Sequence, residues 1–285
     1  MARRVESIAP VGGGREQGID GGIRVLISSD KIPMITVENL TARFNGNTIF
    51  ENVSFEVYKG EIFVILGGSG CGKSTLMKHM IGLYESTSGK VVINGIDITK
   101  ADEKQLKNVR KDIGVAFQSG GLFGSMTLAE NVALPLQEYT DLSPEAIHLI
   151  VKMKLGMVQL AGYENHLPAE LSGGMKKRAG VARAMALDPT VFFFDEPSAG
   201  LDPVTSAELD SLIKSINAGM GTTMVIVTHE LQSIFNIADR IMMLDKTAKG
   251  MIAEGDPKWL KDHSTDPRVI NFFNRKVPEQ ERKGT

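Results

Sequence analysis

"IFVILGGSGCGKST", Ile62–Thr75, is the stretch on which the fold turns. Five apolar residues in a row read as a strand buried on both faces, as in a mostly parallel sheet. The next residues match G-x-x-x-x-G-K-[ST], and a helical pattern follows at once. In such a loop Gly67, Gly68, Ser69, Gly70, Cys71 and Gly72 let successive backbone N–H groups curl around phosphate oxygens. The helix start adds its positive end, Lys73 reaches the β- and γ-phosphates, and Ser74, followed by Thr75, ligates Mg²⁺. A plain glycine turn before a helix would account for the glycines, but not for Lys-Ser at this spacing.

Three further runs have the same character: "DIGVAFQ" ending at Gln118, "TVFFFDE" ending at Glu196, and "TTMVIVTHE" with His229 at its polar end. In open α/β sheets ligands bind at the carboxyl ends of the strands, so four strand ends point to one site. Asp195 is expected to hold the Mg²⁺ shell and Glu196 to polarise the attacking water. Gln118 and His229 complete the set. His79, His148, His166 and His263 have no comparable setting and are read as ordinary structural histidines.

Outward from these strands the pattern changes. Ile35 to Val57 alternates like half-buried strands around the Asn-Gly of "FNGNT", and "KVVINGIDI" repeats the signal at Asn94-Gly95. The expected fold is therefore an α/β P-loop NTPase with a mostly parallel core sheet, a small antiparallel β layer and an inserted helical subdomain. Helical patterning from Thr127 to Ala169 marks the insertion, which is taken to run over about 127–187. A leader is expected over 1–33, the ATPase domain over 34–258 and a C-terminal extension over 259–285.

Composition narrows the class. With 285 residues, 42% of them hydrophobic, and a net charge of -2, the chain can bury a substantial core and is not a polycation seeking nucleic acid. No apolar run nears the roughly 18 residues of a membrane-spanning helix, so a soluble chain is expected. A single cysteine, Cys71, excludes an internal disulfide or a zinc cluster and points to a cytosolic face. In function it is read first as a small filler, although its position at a helix start favours a thiolate that a maleimide would reach unless nucleotide covers it. The Gly-rich leader lacks the apolar core of a signal peptide.

A second stretch, "LSGGMKKR" at Leu171–Arg178, has the make-up of another anion-binding helix start. Ser172 suits an N-cap, Gly173 and Gly174 expose bare N–H groups, and the run after Met175 is helical. One nucleotide has one γ-phosphate, which the first loop already cradles. A second such element suggests completion of another subunit's site.

With these residues in hand, the chain resembles the nucleotide-binding subunits of ABC transporters from about Ile35 to Lys258. The phosphate loop, the Gln118 loop, the "LSGGM" signature, "FFFDE", the "SAGLD" loop ending at Asp202 and the switch His229 follow in that family's order. The resemblance implies ATP and Mg²⁺ as cofactors, with Phe44 stacked on adenine. It sets Gln118 beside Ser74 and Asp195 at the metal, and Asp202 with Ser172, Gly173 and Gly174 at the nucleotide. It implies a homodimer closing on two ATP, bound peripherally to a membrane permease. The signature departs from the family's usual glutamine by having Met175, which removes any side-chain contact that a glutamine would make. A narrower likeness, carried by "LSGGMKKRAGVARAMALDP", "MTLAENVALPLQEYTDLS" and "TDPRVINFF", is to the ATPases of Mla-type systems. Those move phospholipid with an MCE-domain substrate-binding protein and often a small STAS-domain partner, on the cytoplasmic side of the inner membrane.

The alternative is an importer ATPase for a polar solute. Repair-type ABC proteins carry long coiled coils, and ribosome-acting members usually fuse two ATPase units; neither feature is present. A pure nucleotide-binding regulator would not require Glu196 or His229. The late segment "TDPRVINFFNRK" is too short a helix to stand alone and is expected to dock, either back on its own subunit or, the reading preferred here, as a clasp on a neighbouring ATPase or a small partner.

Overall fold

The computed structural model describes residues 31–276. The expected leader up to residue 30 and the tail after residue 276 lie outside the described residues. β1 (Pro33–Phe44) and β2 (Asn47–Tyr58) form an antiparallel hairpin. Asn45 and Gly46 join them at φ of 50° and 77°, the left-handed pair that lets a two-residue turn follow the strand twist. β3 (Ile62–Gly67) leaves this layer and leads into α1 (Lys73–Met80). β4 (Ser88–Ile93) returns to pair with β1, and β5 (Ile96–Asp97) folds back on β4 across Asn94 and Gly95. The resulting sheet, β2-β1-β4-β5, is antiparallel throughout.

α2 (Glu103–Asp112) leads into β6 (Ile113–Ala116). Three helices then intervene: α3 (Leu128–Tyr139), α4 (Pro144–Met157) and α5 (Gly173–Ala184). Their starts are written in the sequence. Thr127 and Glu130 form a reciprocal capping box, and Ser143 and Ser172 cap α4 and α5 through their hydroxyls. β7 (Val191–Asp195), α6 (Pro203–Met220), β8 (Thr223–Val227) and α7 (Leu231–Ile237) follow. The described chain ends with β9 (Arg240–Asp245), β10 (Gly250–Gly255), α8 (Pro257–His263) and α9 (Pro267–Phe273).

The second sheet has the order β10-β9-β3-β8-β7-β6, parallel except for β10 at its edge. β9 and β10 are not anticipated from the sequence. β9 is buried on both faces, like the four recognised runs, but it carries Arg240 at its start. That arginine pairs with buried Glu61 at 2.7 Å and also with Glu254, tying β9 to the start of β3 and to β10.

Alternate residues of the central strands feed two separate cores, the period-two signature of strands covered on both faces. Val64, Leu66, Phe192, Phe194 and Ile226 pack against the helices α3 to α9. Phe63, Ile65, Phe193, Val225 and Val227 pack toward α1 and the antiparallel layer.

The expected clasp of "TDPRVINFFNRK" is corrected here. Asp266 caps α9 and Pro267 opens it, but Val269 and Phe273 are buried in the chain's own core, with Phe273 5.7 Å from the ring of Phe235. A short helix gains its stability from such docking, and Val269 and Phe273 supply it within the subunit.

Candidate nucleotide site

The sheet order sets the carboxyl ends of β3, β8, β7 and β6 side by side, and a cleft of about 760 Å³ opens over them. Its floor is the loop after β3. Gly67 stands at φ 149°, where a Cβ would lie 2.3 Å from the Leu244 carbonyl oxygen and 2.7 Å from Cys71 Sγ. Gly72, at φ 101°, is the N-cap of α1. Only glycine fits either place. Gly68 and Gly70 open onto free space, which leaves their backbone accessible to a ligand. The Lys73 ammonium donates to the carbonyls of Gly67 at 2.9 Å and Gly68 at 3.3 Å, so the cation is parked across the loop that it serves.

Ser74 Oγ donates to Asp195 Oδ1 at 2.8 Å. Burial raises the Asp195 carboxyl above its ordinary range, against the pull of that hydrogen bond and of the nearby lysines. Ser74 and Gln118 line the cleft, and Asp195 reaches it through its hydrogen bond with Ser74; hydroxyl, amide and carboxylate are all hard oxygen donors. Few protein ligands with room for waters and phosphate is the manner in which Mg²⁺ is usually held.

Glu196 follows β7 in the left-handed region, at φ 48°, unusual for a residue with a side chain. Its N–H donates to the Val227 carbonyl at 2.8 Å. His229 Nδ1–H donates to Glu196 Oε1 at 2.8 Å, while Oε2 is buried without a protein partner. One carboxylate oxygen is thereby oriented and the other is left for something the chain does not supply.

Several expected residues lie elsewhere. Cys71 is corrected: its thiol packs in the core beneath the loop and burial raises its pKa, so it is neither a thiolate nor a lining group. Asp202 is spent as the cap of α6, accepting from the N–H groups of Val204 and Thr205 at 3.0 and 3.1 Å. Its hydrogen bond with the Thr205 hydroxyl is the main cause of a lowered pKa. Neither it nor Ser172, Gly173 and Gly174 lines the cleft of its own chain. Thr75 sits within α1, also off the cleft. Phe44 is half exposed at the end of β1, edge-on to Tyr84 at 5.5 Å and near His79, outside the cleft.

Other groups reach the site without a sequence signal. Lys177, on α5, donates to the Glu196 carbonyl at 3.3 Å, and its own burial lowers its pKa. Asn131 is fully buried and exchanges hydrogen bonds with the backbone of Phe123, Met126 and Thr127, clasping the segment after Gln118. Arg183 donates to the Gly121 carbonyl of that segment. Glu230, Leu231, Phe272 and Arg275 line the cleft. Of these, only Glu230 could have been guessed, from its place beside His229.

The same segment meets α5 backbone to backbone. A Cβ at Gly180 would lie 2.5 Å from the Gly120 carbonyl oxygen, and one at Gly120 would lie 2.8 Å from that of Lys176. Gly180→Ala should therefore lose about 1–3 kcal/mol, the usual range for overpacking. Because the contact bears on the Gln118 loop, turnover should fall further than nucleotide affinity. Urea unfolding and steady-state ATPase assays check both; an alanine variant of parental stability and rate would mean that the helix and loop are not in contact.

Comparisons with known proteins agree with this geometry. A family model described as "ABC transporter" matches residues 50–199. The chain is 42% identical over 250 residues, 87% of its length, to "Probable ribonucleotide transport ATP-binding protein mkl" of Mycobacterium tuberculosis, of which it covers 69%. It is 40% identical over 240 residues to "Intermembrane phospholipid transport system ATP-binding protein MlaF" of Haemophilus influenzae, covering 84% of this chain and 90% of that protein. Among solved structures, a dimeric ATP-binding cassette in a post-hydrolysis state with ADP and Pi superposes with a TM-score of 0.72 at 32% identity, over 78% of this chain and 98% of that one. The cassette cbiO1 from Clostridium perfringens, part of an ABC transporter complex, gives 0.73 at 26% identity, over 88% of this chain and 98% of that one.

Proposed function

Because the chain belongs to the ABC transporter family as an ATP-binding subunit, we propose that it powers phospholipid transport, working as a pair of identical subunits on a membrane permease. It is an ATPase that couples hydrolysis to transport. The observation that carries the site assignment is the pairing, on adjacent strand ends, of Ser74 with Asp195 and of Glu196 with His229.

In the proposed mechanism Lys73 turns from the Gly67 and Gly68 carbonyls to the β- and γ-phosphates, which replace one set of acceptors by a charged one. Ser74, Asp195 and Gln118 would hold Mg²⁺, which when bound screens the charge on the phosphate oxygens. Glu196 accepts a proton from the water that attacks the γ-phosphorus. The bond from that phosphorus to the bridging oxygen breaks, and ADP and phosphate leave. His229 keeps the carboxylate aimed, and Lys177 steadies the peptide behind it.

Ser172, Gly173 and Gly174 start α5 with unengaged N–H groups away from their own cleft, which supports the reading that they complete the site of a second copy. Asp202, on its short loop, and Phe44, beside the loop at α1, are assigned to the partner-facing and adenine ends of that composite site. The peripheral position at the cytoplasmic face of the inner membrane is part of the proposal. Among the described residues no helix is long and apolar enough to cross a membrane.

The phospholipid cargo rests on the MlaF relatives, and with it come the expected MCE-domain protein and a small STAS-domain partner. Leu142, Leu149, Met153 and Met157 make an exposed apolar stripe on and before α4, a surface that suits such a partner. The mkl relatives favour a second reading, an ATPase for a polar solute. Purifying the native membrane complex and identifying its proteins and lipids by mass spectrometry decides between them. Phospholipid with MCE and STAS proteins is the expected result; a solute-binding protein carrying a nucleotide would replace the lipid reading.

A further inference from the structure

The end of α9 reaches the nucleotide cleft. Phe272 and Arg275 line it together with the phosphate loop, Gln118 and His229. The helix that carries Phe272 and ends two residues before Arg275 is anchored, with Val269 and Phe273 buried and Phe272 edge-on to Phe273 at 5.7 Å. Its end is fixed as well. The Arg275 N–H donates to the Phe272 carbonyl at 3.2 Å and the Lys276 N–H to the Asn271 carbonyl at 2.9 Å. Arg275 itself stands at φ 52°, a left-handed turn position that glycine or asparagine usually fills.

The charges of the cleft give this placement its meaning. Its lining cations are Lys73 and Arg275, set against the carboxylates of Glu196 and Glu230. Arg268, on the same helix, is committed to Asp245 at 3.0 Å and Asp266 at 2.6 Å. Arg275 has no such pair among the described residues, and its side chain is exposed at the cleft. A guanidinium presents a planar fork of donors that matches two phosphate oxygens at once.

We propose that Arg275 is a nucleotide-binding residue that reads the terminal phosphate, so that the C-terminal helix distinguishes ATP from ADP. The inference rests on the cleft being the ATP site. It adds to the phosphate loop a second cation, supplied from the far end of the chain, whose target exists only before hydrolysis and phosphate release.

The test titrates the full-length chain and its Arg275→Ala and Arg275→Lys variants with the magnesium complexes of AMP-PNP and ADP, by calorimetry. Arg275→Ala should bind AMP-PNP about tenfold more weakly, which is the loss of about 1.4 kcal/mol, and ADP within about twofold of the parent. Arg275→Lys should recover part of the loss, since the charge remains and the fork does not. Unchanged AMP-PNP affinity overturns the proposal. An equal loss for both nucleotides also overturns it, because that marks a deformed cleft rather than a reader of the γ-phosphate. So does a variant that binds AMP-PNP normally yet fails to dimerise in gel filtration, which would assign the arginine to the partner subunit. A parent chain that binds neither nucleotide removes the ATP reading itself, whereas a parent and variant that discriminate equally remove Arg275 alone.

Discussion

Glu196→Gln should lower the rate of ATP hydrolysis by about a thousandfold, within the range that positioned acid–base groups contribute, while ATP still binds. The amide keeps the shape of the carboxylate and still accepts from His229 Nδ1–H, whose partner atom is 2.8 Å away in the parent. The backbone at φ 48° asks the same of either residue. What changes is Oε2, the buried oxygen without a protein partner, which becomes an NH₂ and can no longer take a proton. The cradle of Lys73 and Ser74 is untouched, so the closed nucleotide-bound dimer should accumulate. Phosphate release and gel filtration with ATP read the two halves of this outcome. Hydrolysis at the parental rate would remove Glu196 from the role of base.

Lys73→Ala should act one step earlier, weakening ATP binding by about a hundredfold, or roughly 3 kcal/mol for a charge-assisted contact. The parent ammonium is buried beside the Gly67 and Gly68 carbonyls, so nothing else in the loop can take its place. Mixed with a Ser172→Arg subunit, the lysine variant also tests whether sites are shared between chains. In the heterodimer both lesions fall on one composite site and leave the other whole, and activity should return on mixing. Recovery requires one intact site to suffice for turnover, so mutant-by-mutant binding measurements accompany the rates. An affinity for ATP equal to the parent's would show that Lys73 does not face the phosphates.

How much of this was legible depended on whether the signal was local. The phosphate loop, the Asn-Gly hairpins and the cap at Ser172 are decided within a few residues of chain, and the sequence alone is enough to see them. The two-sided strands announce themselves as apolar runs; β9 is harder to see because its run is only the four residues Ile241–Leu244 between Arg240 and Asp245, and the partners of Arg240, Glu61 and Glu254, are distant in sequence. Cys71 reads two ways from the sequence for a related reason. Its neighbours in the chain suggest a reactive thiol, but the direction of its side chain is set by the packing under β3. Asp202 looked like a ligand and is engaged as a cap. Lys177, Asn131 and Arg275 gain their meaning only when α5, α3 and α9 are folded against the strand ends, contacts that no spacing in the sequence encodes.

The meeting of Gly180 with Gly120 has a mechanical consequence. Side chains usually act as cushions between elements: they change rotamer and absorb part of any displacement. Here peptide touches peptide, and the space that would have held a cushion is closed to less than the width of a methyl group. The Gln118 loop and the signature helix are thus geared without backlash. With so little slack between them, a displacement of the Gln118 loop is passed to α5 at Gly180 rather than absorbed on the way.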